Sequence, residues 1–239
     1  LTTVDRGITG ASTADLTYDS SGNLSKLVIT TPNSILSWDL ASADTFKSVT
    51  GFSDQIVLED SAKTYAAVLI DPKVSSWNYQ TFGAWRTGFG AGLGVIGGVS
   101  AGLKTEGIKV PTVGGATFTG KLLGAYVAAS GIASFVEGVV TVVPDFASRS
   151  LAFTTSSTNE YNLSNGATFS ASKLNMSGTL AYSSGVNSFS GAVVAPVAGL
   201  TGTASGAFYG PNAEELGGVF NVKASSGMES YSGSFGASK

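Results

Sequence analysis

The segment ATFTGKLLGAYVA, residues 116–128, alternates apolar residues with small or polar ones along much of its length. A period of two residues is typical of a β-strand with one face against a core, because successive side chains of a strand point to opposite faces. The segment SRSLAFTTS, residues 148–156, has the same alternation. Both segments therefore predict half-buried strands.

Similar segments recur at hairpin spacing through the last two-thirds of the chain, with Gly or Asn-Gly between several of them. Period-two patterning over so many segments indicates an antiparallel meander closed into a barrel, and glycine inside strands allows the necessary curvature. Because no segment has convincing helix periodicity, the predicted fold class is all-β. We predict nine strand-like segments, one of which is not expected to be a separate strand: residues 78–87, 115–129, 132–143, 148–156, 167–182, 188–195, 199–209, 217–224 and 230–237.

The N-terminal part of the chain has shorter elements. Residues 16–30, LTYDSSGNLSKLVIT, predict a hairpin around a polar Asp-Ser-Ser-Gly-Asn turn. Residues 34–70 continue with short β-prone runs. The sequence Asp71-Pro72-Lys73 interrupts them, because the residue before a proline is pushed towards extended geometry. We therefore predict a small β-rich domain over residues 1–74 and a barrel domain over residues 75–239.

The segment SGAFYGPNAEELGGVF, residues 205–220, has two interpretations. Glu214 and Glu215 could form an acid pair for catalysis, or the segment could turn the chain between two barrel strands. Pro211 fits the first position of a helical turn, whose dipole favours the two carboxylates, and Gly217 fits a left-handed stop. Since no third polar group nearby completes a catalytic set, we favour a one-turn plug between strands.

Composition excludes several classes of function. The 239 residues include no cysteine and no histidine, which excludes disulfides, thiolate nucleophiles, Ser-His-Asp catalysis and histidine-ligated haem or zinc. Only 12% of the residues are charged and the net charge is −3, so the chain lacks the basic surface of a nucleic-acid-binding protein. No run of about 20 apolar residues predicts a membrane-spanning helix. We therefore do not expect an enzyme, although carboxylate-only chemistry remains an alternative.

Several motifs together carry a family resemblance. The motifs GAFYGPNAEELGGVF and YSGSFGAS close the chain, and they follow WNYQTFGAWRTG, GGATFTGKLLGAYVA and VVTVVPDFASRSLAFTTSS. In this combination they resemble the transferrin-binding protein B-like family of bacterial surface lipoproteins and secreted relatives. The resemblance covers roughly residues 75–239 and, in looser form, the first 74 residues.

The resemblance implies an eight-stranded antiparallel β-barrel preceded by a small β-rich handle domain. It also implies an outer-membrane lipoprotein at the cell surface, or a secreted protein, that captures host iron proteins, haem, haemoglobin or complement factors. Nutrient cargo would pass to a TonB-dependent outer-membrane receptor. With one handle and one barrel, the chain is more similar to the small hemophore-like or solute-binding members than to the two-lobed transferrin binder. The implied function is nutrient capture in the iron or haem acquisition class. The alternative is a surface protein that binds a host macromolecule such as a complement regulator.

The glycine-rich segment GFGAGLGVIGGVSAGLKTEG, residues 88–107, contains a G-x-G-x-x-G pattern, but no strand–helix unit follows it, so we do not predict dinucleotide binding. As a loop between the first two barrel strands, it would expose apolar side chains at about 1.5–3 kcal/mol each. Three alternatives remain: a hairpin that extends the barrel wall, a cover over a flat apolar ligand such as a porphyrin, or a partner-docking patch. The candidate binding residues are Phe89, Leu93, Val95, Ile96 and Leu103.

A haem ligand would have to come from another residue class, because the chain has no histidine. Tyrosinate and methionine are the plausible donors, and Tyr126 and Tyr209 are our candidate axial ligands. Most tyrosines are better explained as strand aromatics with the hydroxyl towards water. The acidic residues match neither an EF-hand loop nor an ordered oxygen cage, so no metal site is predicted.

Overall fold

A computed structural model of the chain describes residues 2–5, 8–11, 13–32, 34–49, 52–88, 94–161 and 167–239. Within these ranges the N-terminal strands are β1 (Thr2–Asp5), β2 (Ile8–Ala11), β3 (Thr13–Tyr18), β4 (Leu24–Thr30), β5 (Ile35–Asp39), β6 (Thr45–Val49), β7 (Phe52–Glu59), β8 (Tyr65–Ile70), β9 (Gln80–Thr87) and β10 (Ile96–Gly102). The C-terminal strands are β11 (Phe118–Val127), β12 (Ala133–Asp145), β13 (Ser150–Tyr161), β14 (Thr168–Ser170), β15 (Ser177–Tyr182), β16 (Phe189–Ala195), β17 (Leu200–Tyr209), β18 (Glu215–Lys223) and β19 (Ser230–Ser238). Short 3-10 helices lie at Leu40–Ser42, Gly107–Lys109 and Ser172–Leu174.

Eight of these strands close into an antiparallel barrel. Their order is β12, β11, β19, β18, β17, β16, β15 and β13, and the pairing of β12 with β13 completes the ring. The short strand β14 pairs with the end of β13. The all-β fold class and the eight-stranded barrel are therefore confirmed. Each of the predicted segments from 115–129 onward overlaps one of the eight barrel strands, and the segment 167–182 also includes β14.

The remaining predicted segment, residues 78–87, is not a barrel strand, and that prediction is wrong. It contains β9, which pairs with β8 and β10 in a five-stranded sheet of order β10, β9, β8, β7 and β6. Residues 80–85 are buried without alternation, because this sheet is covered on both faces. Strand pairing passes from the five-stranded sheet to the barrel between Gly102 and Phe118. The division into domains at residues 74 and 75 stays a prediction.

Three layers of β-structure stack on one another. A three-stranded sheet of β3, β4 and β5 covers one face of the five-stranded sheet, and we call β3–β10 the handle. The predicted hairpin within residues 16–30 is confirmed, because β3 pairs with β4 in antiparallel fashion. In the turn between them, the carboxylate of Asp19 accepts the N–H groups of Ser21 and Asn23. Trp38 of the upper sheet and Trp85 of the lower sheet share one buried core. Trp85 therefore packs in the core between the two handle sheets.

The other face of the five-stranded sheet packs on the outer wall of the barrel. Phe82 and Ile96 from the handle share a buried cluster with Leu123 and Phe135 from barrel strands. The barrel interior is a separate apolar core, in which phenylalanines such as Phe153 are completely buried. The barrel is thus a filled scaffold with the handle fixed to its side.

Glycine residues let the handle lie directly against the barrel wall. A Cβ atom at Gly98 of β10 would lie 2.1 Å from the carbonyl oxygen of Gly233 in β19. A Cβ atom at Gly236 would lie 2.2 Å from the ring of Phe82. Atoms in a packed interior do not approach so closely, so a side chain at either position would force the layers apart. Between these positions on β19, the hydroxyl of Ser234 donates to the backbone of the handle.

We expect Gly98→Val to lower the free energy of unfolding by about 3 kcal/mol or more, because a branched side chain overpacks the handle–barrel contact. Urea unfolding followed by circular dichroism measures this change. Ala152→Val places a valine on the exposed outer face of β13 and should change stability by less than about 0.5 kcal/mol. Equal losses of stability in the two variants would contradict this account of the contact.

Candidate binding surfaces

One end of the barrel is covered by the residues that connect it to the handle. We call this end the junction end and residues 103–117 the strap. The N–H of Thr105 donates to the carbonyl oxygen of Phe208 at 3.0 Å, and its hydroxyl donates to that of Gly210 at 2.6 Å. Asn187 donates to the carbonyl oxygens of both Thr105 and Phe208. Val110 of the strap is buried in the barrel core. The strap is therefore held across the barrel end by backbone hydrogen bonds and by an apolar anchor.

Glu215, the first residue of β18, joins the barrel to the entry of β9. Its side chain is 3% exposed, and its carboxylate accepts the N–H of Asn78 at 2.8 Å and the N–H of Tyr79 at 3.3 Å. Burial raises the pKa of Glu215, and the two backbone hydrogen bonds oppose that shift. Gln80 extends the contact by donating to the carbonyl oxygen of Leu216 at 2.9 Å. Glu215 thus positions the two residues that lead into β9.

Glu214 has a separate role. Its carboxylate accepts the backbone N–H of Asn212 at 2.8 Å and the side-chain amide of Asn212 at 2.9 Å, within the turn between β17 and β18. The hydrogen bond from the Asn212 N–H lowers the pKa of Glu214. The two adjacent acids therefore stabilise different backbone segments, which supports the structural interpretation of residues 205–220.

The predicted details of this turn are wrong in two respects. Residues 210–213 form a turn and not a helical plug, with Gly210 and Ala213 at φ angles of 87° and 57°. Gly217 is not a left-handed stop but lies inside β18. A Cβ atom at Gly217 would lie 2.0 Å from the side-chain oxygen of Gln80. Glycine is needed there because the handle packs against it, a requirement that the local sequence does not reveal.

The strap presents apolar side chains to solvent. Leu103 is 63% exposed, Ile108 83% and Val113 76%, and Val186 on the neighbouring barrel turn is 44% exposed. Single exposed apolar residues are common on protein surfaces, but several around one barrel end form a candidate docking site. We call these four residues the strap patch.

The candidate residues of the glycine-rich segment are separated by the structure. Phe89 and Leu93 lie outside the described residues. Ile96 is 2% exposed between the handle and the barrel, whereas Val95 is half-buried against the handle core and Leu103 is exposed. The strands β9 and β10 do form a hairpin, as the first alternative predicts, but this hairpin belongs to the handle and not to the barrel wall. A binding role for these five residues stays a prediction.

A cleft of about 320 Å³ opens between the three-stranded sheet and the entry of β9. Its lining includes Tyr18, Trp77 and Tyr79. Trp77 also stands edge-on to Phe82, with ring centroids 5.3 Å apart, so one side of its ring packs against the handle. The cleft adjoins the strap, because the N–H of Leu103 donates to the carbonyl oxygen of Tyr79. Aromatic rings offer a large contact area at a small entropic cost, which makes this cleft a second candidate docking surface.

The two tyrosines proposed as haem ligands lie in different surroundings. The hydroxyl of Tyr126 donates a hydrogen bond to the carboxylate of Glu229 and accepts one from the ammonium group of Lys173 at 2.7 Å. The hydroxyl of Tyr209 is 3.0 Å from that of Ser100. Burial raises the pKa of both tyrosines, which disfavours the tyrosinate form that haem iron binds. Haem ligation by either residue stays a prediction.

Among the residues that the structure describes, no three His, Cys, Asp or Glu side chains lie together in a way that could hold a metal ion. No helix among the same residues is long and apolar enough to cross a bilayer.

Polar residues also join the handle to the barrel, and they could not be recognised from the sequence. Gln55 donates to Glu137 at 3.0 Å, and Lys121 forms an ion pair with Asp54 at 2.7 Å. These partners are far apart in sequence, so local patterns give no sign of the pairing. The one available signal is a polar residue beside a strongly apolar strand, as with Gln80 before TFGAW.

The role of Glu215 predicts a local effect. Because its carboxylate accepts two N–H groups, Glu215→Ala should lower the free energy of unfolding by about 2 kcal/mol. It should also speed hydrogen exchange at the amides of Asn78 and Tyr79, which NMR measures. Glu214→Ala removes the adjacent carboxylate and should leave both amides protected. Unchanged protection in Glu215→Ala would show that this carboxylate does not hold the strand entry.

The partly buried carboxylate of Glu137 should make the stability of the protein depend on pH. Burial raises the pKa of Glu137, and the hydrogen bond from Gln55 opposes the shift. Between the unfolded pKa of about 4.3 and the raised folded pKa, the folded state binds the proton more tightly, so this group makes stability fall as pH rises. The stability of Glu137→Gln relative to the unsubstituted protein should therefore increase with pH through this window and then level off, in urea titrations at several pH values.

Glu214→Gln is the matched control for this titration. The pKa of Glu214 is lowered, so the stability that it contributes is present above the unfolded pKa and is lost as pH falls. The stability of Glu214→Gln relative to the unsubstituted protein should therefore decrease as pH rises, which is the opposite of the change expected for Glu137→Gln. The same sign for both variants would contradict the assignment of the two environments.

A comparison with protein families matches residues 110–239 to the family described as the C-lobe and N-lobe beta barrels of Tf-binding protein B. A search of curated proteins finds no match. Among solved structures, a variant of Transferrin Binding Protein B from Haemophilus parasuis Hp5 is 16% identical, with a TM-score of 0.57 over 99% of this chain and 44% of that one. The isotype 1 protein from serogroup B Neisseria meningitidis is 17% identical, with a TM-score of 0.57 over 99% of this chain and 42% of that one.

The chain spans less than half the length of these solved relatives, and a likeness at such low identity shows the fold alone. The family match covers more than half of the 239 residues and includes every strand of the closed barrel. The chain therefore belongs to the transferrin-binding protein B family.

Proposed function

We propose that the chain is an exported bacterial binding protein, at the cell surface or secreted, that captures an iron- or haem-carrying nutrient. It would deliver this cargo to a TonB-dependent receptor of the outer membrane. The observation that carries the proposal is the family match over residues 110–239. The solved relatives are named for binding transferrin, so iron-carrying host proteins are the first cargo to test.

The chemistry of the junction end supports binding and not catalysis. The carboxylates of Glu214 and Glu215 are engaged by backbone N–H groups of two separate segments, so neither is paired with the other as an acid and a base. The barrel interior is filled by apolar side chains. A packed barrel holds its outer positions rigidly, which reduces the entropic cost of docking a partner.

The strap patch and the aromatic cleft form the proposed docking face. They meet where Leu103 bonds to Tyr79, so one partner surface can contact both. Each large aliphatic side chain that a partner covers contributes about 1.5–3 kcal/mol relative to its exposure to water. Covering Ile108 and Val113 would contribute the most binding free energy, because they are the most exposed apolar residues of the strap.

Binding of cargo tests the proposal directly. The purified chain is immobilised, and association of iron-loaded transferrin, lactoferrin and haemoglobin is measured by biolayer interferometry, with serum albumin as the control. We expect one iron-carrying protein to bind with a dissociation constant of about 1 μM or lower, as for a specific interface. Growth of the source bacterium on that protein as the sole iron source should require both this chain and a TonB-dependent receptor.

Two other results of such binding experiments would support a different cargo or a different function. A Soret band on titration with haemin, without protein binding, would identify haem itself as the cargo. Capture of a complement regulator, with no affinity for iron proteins or haemin, would contradict iron acquisition and support the interaction with a host macromolecule.

The docking face predicts an asymmetry between the barrel ends. Ile108→Asp should weaken binding of the cargo protein at least tenfold, because a charge in a covered apolar contact is strongly unfavourable. Val197→Asp makes a comparable change at the opposite end of the barrel, at a residue that is 78% exposed, and should leave affinity within twofold. A loss of affinity confined to Val197→Asp would place the docking face at the other end.

A further inference from the structure

A cavity of about 280 Å³ lies on the outer wall of the barrel, where β10 and the strap meet β16, β17 and β18. Its wall is built from residues that stand opposite one another on neighbouring strands. Ser190 of β16 pairs with Ser205 of β17, and Ser205 pairs with Val219 of β18. The handle adds Ser100, and the strap adds Lys104. None of these residues belongs to the docking face described above.

Hydroxyl groups supply most of the polar lining. The hydroxyls of Ser100 and Tyr209 lie 3.0 Å apart, and these residues are 6% and 2% exposed. Whichever hydroxyl donates, the O–H of the other remains available, because the described part of the chain gives the pair no other hydrogen bond. Ser188, Ser190 and Ser205 also line the cavity. The cavity therefore offers one donor fixed by burial and three adaptable hydroxyls.

Lys104 gives the cavity its charge. Among the described residues its ammonium group takes part in no salt bridge. The described lining contains no carboxylate, and Glu106, two residues farther along the strap, is not part of it. A cation surrounded by hydroxyl donors favours an anionic group of low charge.

The volume of the cavity and its mixed polar and apolar lining limit the size and the chemical class of the ligand. Pockets for drug-sized molecules measure about 300–1,000 Å³, so this cavity suits a ligand no larger than a single sugar ring. Serine hydroxyls both donate and accept, and they can therefore match sugar hydroxyls in either direction. Ala207 and Val219 add apolar surface for the C–H groups of such a ring.

We propose that this cavity binds an acidic monosaccharide. Its carboxylate accepts from Lys104 and from the Ser100–Tyr209 pair, and its hydroxyls bond to the serines of β16 and β17. A free sugar acid and the terminal residue of a protein-linked glycan share this chemistry. The site is independent of the docking face and does not rest on the proposed iron cargo.

Isothermal titration of the full chain tests the site, with glucuronic acid and N-acetylneuraminic acid as probes and glucose as the neutral comparison. We expect at least one sugar acid to bind at least tenfold more tightly than glucose. Lys104→Met should weaken that binding at least tenfold. Lys109→Met removes another lysine of the same strap, one that does not line the cavity, and should leave affinity within twofold.

Further titrations test the contacts of the serine hydroxyls and distinguish the two possible sources of the ligand. Ser205→Ala should weaken binding of the sugar acid at least threefold, and acetate should bind at least tenfold more weakly than the sugar acid. Tighter binding of a sialylated glycopeptide than of its desialylated form assigns the site to a glycan, whereas preference for the free acid assigns it to a small metabolite. Thermal melts check that each variant is folded.

Three results would overturn the proposal: no binding of either sugar acid, unchanged affinity in Lys104→Met, or equal affinity for acetate. Binding of iron proteins is measured in separate experiments on the same preparations. Failure at this cavity therefore leaves the proposed capture function standing, and loss of iron-protein binding leaves this site standing.

Discussion

The close contact between the five-stranded sheet and the barrel wall is the constraint on which the rest of the structure depends. At Gly98 and Gly233 the two backbones approach so closely that neither a Cβ atom nor a side chain fits between them. Phe82 then lies directly over Gly236, and Ser234 bonds to the handle backbone. Because packed layers have few intermediate arrangements, this contact gives the handle one defined position on the barrel.

The position of the handle determines what the junction end presents. Glu215 holds the entry of β9, and the strap leaves β10 at a fixed point and crosses the barrel end. The same arrangement exposes Ile108 and Val113 on the strap and places Tyr79 beside Leu103. The cavity at Lys104 also depends on this arrangement, because Ser100 of β10 lines it together with residues of β16, β17 and β18. Binding surfaces in this chain thus follow from how the layers stack and from no single strand.

Much of the fold could be predicted from alternation along single strands. ATFTGKLLGAYVA became β11, and SRSLAFTTS became the start of β13, because a strand with one buried face has a period of two residues. The segment 78–87 was misplaced because a strand covered on both faces loses this period and only its partners define it. Gly217 was misread for a related reason, since the atom that excludes a side chain there belongs to Gln80, far away in the sequence.

The candidate site could be predicted less well than the fold. Ile96 and Leu103 lie in one short segment, yet one is buried between layers and the other is exposed, and only the stacking decides which. The turn at residues 210–213 was recognisable from its Gly-Pro-Asn composition, whereas the different partners of Glu214 and Glu215 were not. Ser100 and Tyr209 gave no sign of their pairing, because 109 positions separate them.

The most direct test of the central claim is whether the handle and the barrel unfold together. All three tryptophans, Trp38, Trp77 and Trp85, lie in the handle or in its β8–β9 connection, so tryptophan fluorescence follows this part, whereas far-ultraviolet circular dichroism follows all strands. If the layers form one packed unit, the two signals should give the same urea midpoint and the same slope. A fluorescence transition that is complete before the main loss of circular dichroism would contradict the account, because the handle would then be only loosely attached to an independent barrel.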